Sequence, residues 1–158
     1  MKYLEDIAVG EKAVLGSHLF TAEEIKAFAA RFDPQAFHLD EEAARQSAFG
    51  GLCASGWHTV AIWMRLMIAH RRRESEARGA RGEPVAQQGP SPGFRELKWL
   101  KPVYAGDTLT YTSEVLATRA SASRRGWGLV TSLNTAVNQK GERVMSFIGN
   151  VFVERRPQ

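Results

Sequence analysis

The sequence predicts an α+β fold in which an antiparallel sheet wraps one long helix. Three observations point there. Helix signals crowd the first half of the chain. One segment, from just after Gly56 to about Arg73, is apolar on most of its circumference, which marks a buried helix. From Phe94 onward the chain is a series of long β-prone runs joined by hairpin-length links, which implies antiparallel pairing. With 158 residues, the chain suits one domain over 1–158.

In chain order, Gly10 to Phe20 has β character. Thr21-Ala-Glu-Glu24 then forms a capping box, the Thr21 hydroxyl accepting from the Glu24 N–H and the Glu24 carboxylate reaching back. Ile25, Phe28, Ala29 and Phe32 follow as an apolar stripe. Pro34 ends that helix, because the residue before a proline avoids the helical region. A short loop, Pro34 to His38, leads to a second helix with Asp40 as its N-cap, stopping before Gly50-Gly51. The third, buried helix carries Val60, Ala61, Trp63, Met64, Met67 and Ile68, with Trp57, Trp63 and Met64 read as core.

Residues 74–93 are rich in Arg, Gly, Pro and Gln and are expected as a flexible connection. Strands are expected over Phe94–Leu100, Thr108–Ala117, Gly126–Asn138 and Arg143–Glu154. Such a sheet around one helix is the hot-dog arrangement. Its other face needs covering, so a homodimer is expected.

Composition narrows the function. Apolar residues at 44% and charged residues at 24% describe a soluble globular chain. No run reaches the roughly 18 uncharged apolar residues of a membrane span, and no signal-peptide core opens the sequence. The single cysteine, Cys53, excludes an intrachain disulfide, and a cytoplasmic location is expected. The net charge is +4, and Arg71-Arg72-Arg73 with Arg78 and Arg81 form a basic cluster diluted by Glu74, Glu76 and Glu83. A solvated helix end is the first reading; a rim attracting a phosphate-bearing ligand is the second, and nucleic acid the last, since no nucleic-acid motif accompanies it. His18, His58 and His70 lack metal-ligand spacing with Cys53, so no metal is expected. His58 reads as packing at a helix start. Ser55 is not in a nucleophile elbow.

The stretch from Phe32 to Thr59 carries the chemistry. Asp33 ends a helix and His38 follows five residues later, close enough to share one cleft. Apolar flanks at Phe32, Phe37 and Leu39 suggest partial desolvation, which raises a carboxylate pKa and suits proton transfer. Gly56 precedes the buried helix, where free N–H donors and the helix dipole favour an oxyanion. Each residue also has a plain structural role: a turn aspartate, a packed histidine and a turn glycine.

This stretch resembles the hydratase motif of the MaoC-like dehydratases and (R)-specific enoyl-CoA hydratases. The match is ungapped through Asp33, His38, Asp40, Phe49 and Gly56. Tyr3-Leu-Glu-Asp-Ile7, Val9-Gly10, Lys101-Pro-Val-Tyr-Ala-Gly-Asp107 and Asn138-Gln-Lys-Gly141 extend it to both ends. The resemblance implies a hot-dog fold with a short helical overhang carrying the motif. It implies Asp33 and His38 as the catalytic pair, and Gly56, Ser55, Ala54, Gln35 and Phe49 as oxyanion or substrate contacts. It implies an acyl-CoA or acyl-carrier thioester as substrate, no cofactor, and a homodimer or a dimer or trimer of dimers. The reaction implied is addition of water to a 2-enoyl thioester, or its removal from an (R)-3-hydroxyacyl thioester. The alternatives are a non-catalytic thioester-binding or partner subunit and a thioesterase of the same fold. The motif departs from the family at Gln35-Ala36, at Ala54-Ser55-Gly56, and at Met64, which stands where many members have a water-orienting serine. Ser55 or Gln35 would then take over that role.

Overall fold

The computed structural model describes residues 1–157. Five strands, β1 (Lys12–Leu19), β2 (Gly93–Trp99), β3 (Thr108–Ala120), β4 (Trp127–Val137) and β5 (Arg143–Glu154), form one antiparallel sheet in the order β1-β3-β4-β5-β2. Helices α1 (Ala22–Phe32), α2 (Ala36–Leu39), α3 (Glu41–Gln46) and α4 (Gly56–Ala80) intervene between β1 and β2. The sheet curls around α4, and the core fills the space between them. Leu15, Phe20, Ile25, Ile62, Met67, Leu109, Tyr111 and Phe147 are among its buried residues. Tyr111 is completely buried, and its hydroxyl donates to the Thr59 carbonyl of α4 at 3.1 Å, tying sheet to helix. This is the hot-dog fold.

Local chemistry explains the helix starts. Thr21 Oγ1 accepts from the Glu24 N–H at 3.2 Å, and Asp40 Oδ1 from the Ala43 N–H at 2.8 Å. The capping box is half-formed, because the Glu24 carboxylate turns instead to His18 Nε2 at 3.2 Å.

Four expectations need correction. The loop from Pro34 to His38 contains the one-turn helix α2, too short for any periodicity to announce. Helix α4 runs seven residues past Arg73, to Ala80. Residues 74–80 are therefore helical, supported by the i,i+4 pairs His70–Glu74 and Arg72–Glu76. The remainder of 74–93 is tied to its surroundings: the Ala86 N–H bonds Met1 O, the Gly89 N–H bonds Phe152 O, and Ser91 Oγ donates to Asn150 O.

The last correction concerns α4, which is not buried all round. Trp57, Met64 and Ile68 are about half exposed and lie in one stripe. On the adjacent edge strand β2, Phe94, Trp99 and Leu100 beside it are similarly open. This apolar face is continuous across helix and strand.

Candidate active site

The helical overhang between β1 and α4 builds a cleft against β2 and the turn before β3. Asp33 is the C-cap of α1, where the chain leaves the helix before Pro34. His38 sits in the single turn α2, 5% exposed. Their side chains meet: Asp33 Oδ2 lies 3.4 Å from His38 Nε2. His38 Nδ1 is 2.7 Å from the Cys53 carbonyl, which can only accept, so Nδ1 carries a proton and Nε2 is the nitrogen presented to Asp33. Cys53 itself is buried, and burial pushes its thiol up to about 11, so it stays protonated at neutral pH.

Asp33 corrects a further expectation. Desolvation does raise its pKa, but hydrogen bonds from Ser55 and Gln35 and the field of His38 outweigh that, and the carboxyl lies below its ordinary value. The Gln35 contact is explicit, Nε2 donating to Asp33 Oδ1 at 2.8 Å, which leaves Oδ2 facing the histidine. Ser55 serves twice. It is the N-cap of α4, accepting from the Trp57 N–H at 3.2 Å, and it steadies the Asp33 carboxylate.

Gly56 opens α4, and its N–H has no hydrogen-bond partner among the described residues, whereas the next three N–H groups are taken by Ser55. A glycine is required here. A Cβ would lie 2.3 Å from Cε2 of Trp99, whose indole covers this turn.

The cleft, about 420 Å³, is lined by Asp33, His38, Gln35, Phe49, Ala54 and Gly56 together with Trp57, Thr59, Trp99 and Val144. Ser55 lies just behind the wall. The structure thus gathers the sequence-selected residues at one place. Met64 is not among them. It lines a separate space deeper along α4, so the residue standing where many members have serine does not face the Asp33–His38 pair.

Trp99 escaped the sequence reading. It reaches the cleft because β2 bulges: Arg95 pairs with Ile148 but Lys98 with Ser146, and Glu96 adopts φ 57. Bulges re-aim side chains in this way, and a Phe-Arg-Glu-Leu-Lys-Trp run carries no signal for one.

Residues 8–139 match the family model of the MaoC like domain. The chain belongs to the MaoC-like family. Its structure superposes on the MaoC-like dehydratase from Rhodospirillum rubrum with a TM-score of 0.79 and 41% identity, over 100% of both chains. An uncharacterized Bacillus subtilis protein, YdeM, is 30% identical over 96% of this chain and 99% of its own. The mesaconyl-CoA hydratase of Cereibacter sphaeroides is 38% identical over 64 residues, which are 40% of this chain and 18% of that enzyme. The family supports a hydratase or dehydratase role. Among the described residues, no helix is long and apolar enough to cross a membrane.

Proposed function

We propose that this MaoC-like protein hydrates a 2-enoyl-CoA thioester, or dehydrates the matching (R)-3-hydroxyacyl thioester, with Asp33 and His38 as the catalytic pair. One observation carries the reading: Asp33 Oδ2 and His38 Nε2 lie 3.4 Å apart in a cleft that also holds the Gly56 N–H, which has no partner among the described residues.

A water held between Asp33 and His38 gives a proton to the Asp33 carboxylate as its oxygen attacks the β-carbon. The electron pair of the double bond moves towards the thioester oxygen, and the Gly56 N–H holds the developing enolate at the positive end of α4. His38, protonated at Nε2, then donates to the α-carbon. Asp33 returns its proton to His38 across the short gap, and the pair is reset. Dehydration runs the same steps in reverse.

The depressed carboxyl of Asp33 fits the base, since it is ionised at neutral pH beside an imidazole able to carry the proton. Ser55 and Gln35 both hold Asp33, the orienting duty that a serine further along α4 would otherwise have. The apolar stripe of Trp57, Met64 and Ile68 beside β2 is best covered by a second copy, giving a homodimer.

The test follows loss of the conjugated enoyl-thioester absorbance with crotonyl-CoA and longer analogues. Wild type turns over at least one of them, and Asp33→Asn and His38→Ala, still folded, each lose ~10²-fold or more in kcat. Wild-type rates in both variants exclude this mechanism.

A further inference from the structure

The arginine run at the end of α4 does not behave as a solvated helix end throughout. Arg72 pairs with Glu76 and Arg78 with Glu83, as an exposed run would. Arg71 turns inward. Together with Val60, Trp63 and Met67, one helical face, it lines a cavity of about 170 Å³ between α4 and the sheet. Phe94, Leu97, Phe147 and Val151 make most of the remaining wall apolar, Ser91, Asn134 and Asn150 are among its polar parts, and no acidic residue among the described residues lines it.

Arg71 is left with little to neutralise it. Its Nη1 donates to Gln88 Oε1 at 3.0 Å, and the Gln88 Nε2 is buried without a partner among the described residues. Burial pushes the guanidinium down to about 10, against a smaller opposing pull from Glu74, and it remains charged at neutral pH. A half-buried cation whose hydrogen-bond partner is a neutral amide is costly unless an anion joins it. A second space of about 110 Å³, also lined by Arg71, holds Gln88, Glu11 and Glu74 with Lys2 and His70, so an anion is favoured in the first, acid-free cavity.

This cavity adjoins the active-site cleft along three elements. On α4, Gly56 and Thr59 face the cleft and Val60 and Trp63 the cavity; on β2, Trp99 and Leu97 divide the same way; on β5, Val144 and Phe147 do. Along the α4 axis, Gly56 and the Cα of Arg71 are about 22 Å apart, and helical side chains lean back towards the N-terminus, which shortens that span.

We propose that this cavity takes an aliphatic acyl chain whose far end carries a carboxylate, held by Arg71, so that ω-carboxylated medium-chain enoyl thioesters are preferred over plain ones. This substrate assignment rests on the hydratase reading above.

The experiment compares 2-decenoyl-CoA with its ω-carboxy analogue on the full-length protein. Wild type is expected to favour the carboxylated substrate in kcat/KM by ~10-fold or more, the value of a buried charged hydrogen bond. Arg71→Met reverses the preference, Arg71→Lys keeps part of it, and crotonyl-CoA, too short to reach, is unaffected. A wild-type preference for the plain chain, or an equal loss on both chains in Arg71→Met, overturns the proposal. Failure of the hydratase reading appears separately, as no turnover of crotonyl-CoA or of either long substrate. Calorimetry then decides on wild type alone: tighter binding of decanoate than of decanol supports the site, and equal or absent decanoate binding overturns it.

Discussion

Two buried histidines twenty residues apart in sequence, His38 and His58, have opposite surroundings. His38 lies on a cleft wall with Nδ1 on a backbone carbonyl and Nε2 turned to a carboxylate. His58 lies flat on Phe28, with ring centroids 4.5 Å apart and planes 5° from parallel, and Phe20 closes on its edge. Its Nδ1 has no partner among the described residues, and burial depresses it to about 4 despite the favourable field of Glu24. Burial is therefore not what prepares a histidine for proton transfer. A committed tautomer and an adjacent acid are, and of these two His38 alone has both.

The largest effect that sharpens this contrast comes from the His38 side. Asp33→Asn and His38→Ala combined should be hardly slower than either alone, because the two act on one water as a unit. Additive losses in steady-state kcat would mean that they act separately.

Next is Gly56→Ala. Its methyl would meet the Trp99 ring, and overpacking of this kind costs about 1–3 kcal/mol. Denaturant unfolding should register that loss together with a fall in activity. Trp99→Leu in the same chain should restore the stability more than the activity.

His58 gives an effect on stability alone. Its folded pKa lies below the unfolded value, so the unfolded chain binds the extra proton and stability falls as pH drops from about 6.5 towards about 4. The loss is on the order of 3 kcal/mol once both states are protonated. His58→Phe should flatten this part of a pH series of urea midpoints while leaving neutral-pH turnover in place. An unchanged pH slope would contradict the buried neutral imidazole.

The smallest effect belongs to Gln35→Ala. Removing that donor frees the Asp33 carboxyl to rise, so the acid limb of kcat/KM against pH should move to higher pH. An unmoved limb would take Asp33 out of the base role.

Much of this contrast is legible in the residues. The spans of the strands follow their turn signals, and β5 matches its predicted range because Arg143 to Glu154 is bounded by a tight turn and a polar tail. The proximity of Asp33 and His38 follows from five residues and a proline. The sign of the Asp33 shift does not, because apolar flanks suggest desolvation while the deciding donors, Gln35 and Ser55, are polar groups folded back onto the carboxylate. The open face of α4 is also invisible in sequence, since periodicity reports that Trp57, Met64 and Ile68 are apolar and not which chain covers them. Arg71 differs from Arg72 only in helical phase, and that phase acquires meaning when the sheet is placed beneath it.

Nuclear magnetic resonance of the product formed from crotonyl-CoA in deuterated water separates hydration from thioester hydrolysis and from binding alone. Hydration by the Asp33–His38 pair should yield 3-hydroxybutyryl-CoA carrying a single deuterium at the α-carbon, formed by wild type and not by Asp33→Asn. Crotonate with free coenzyme A, or a substrate bound and returned unchanged, would contradict it.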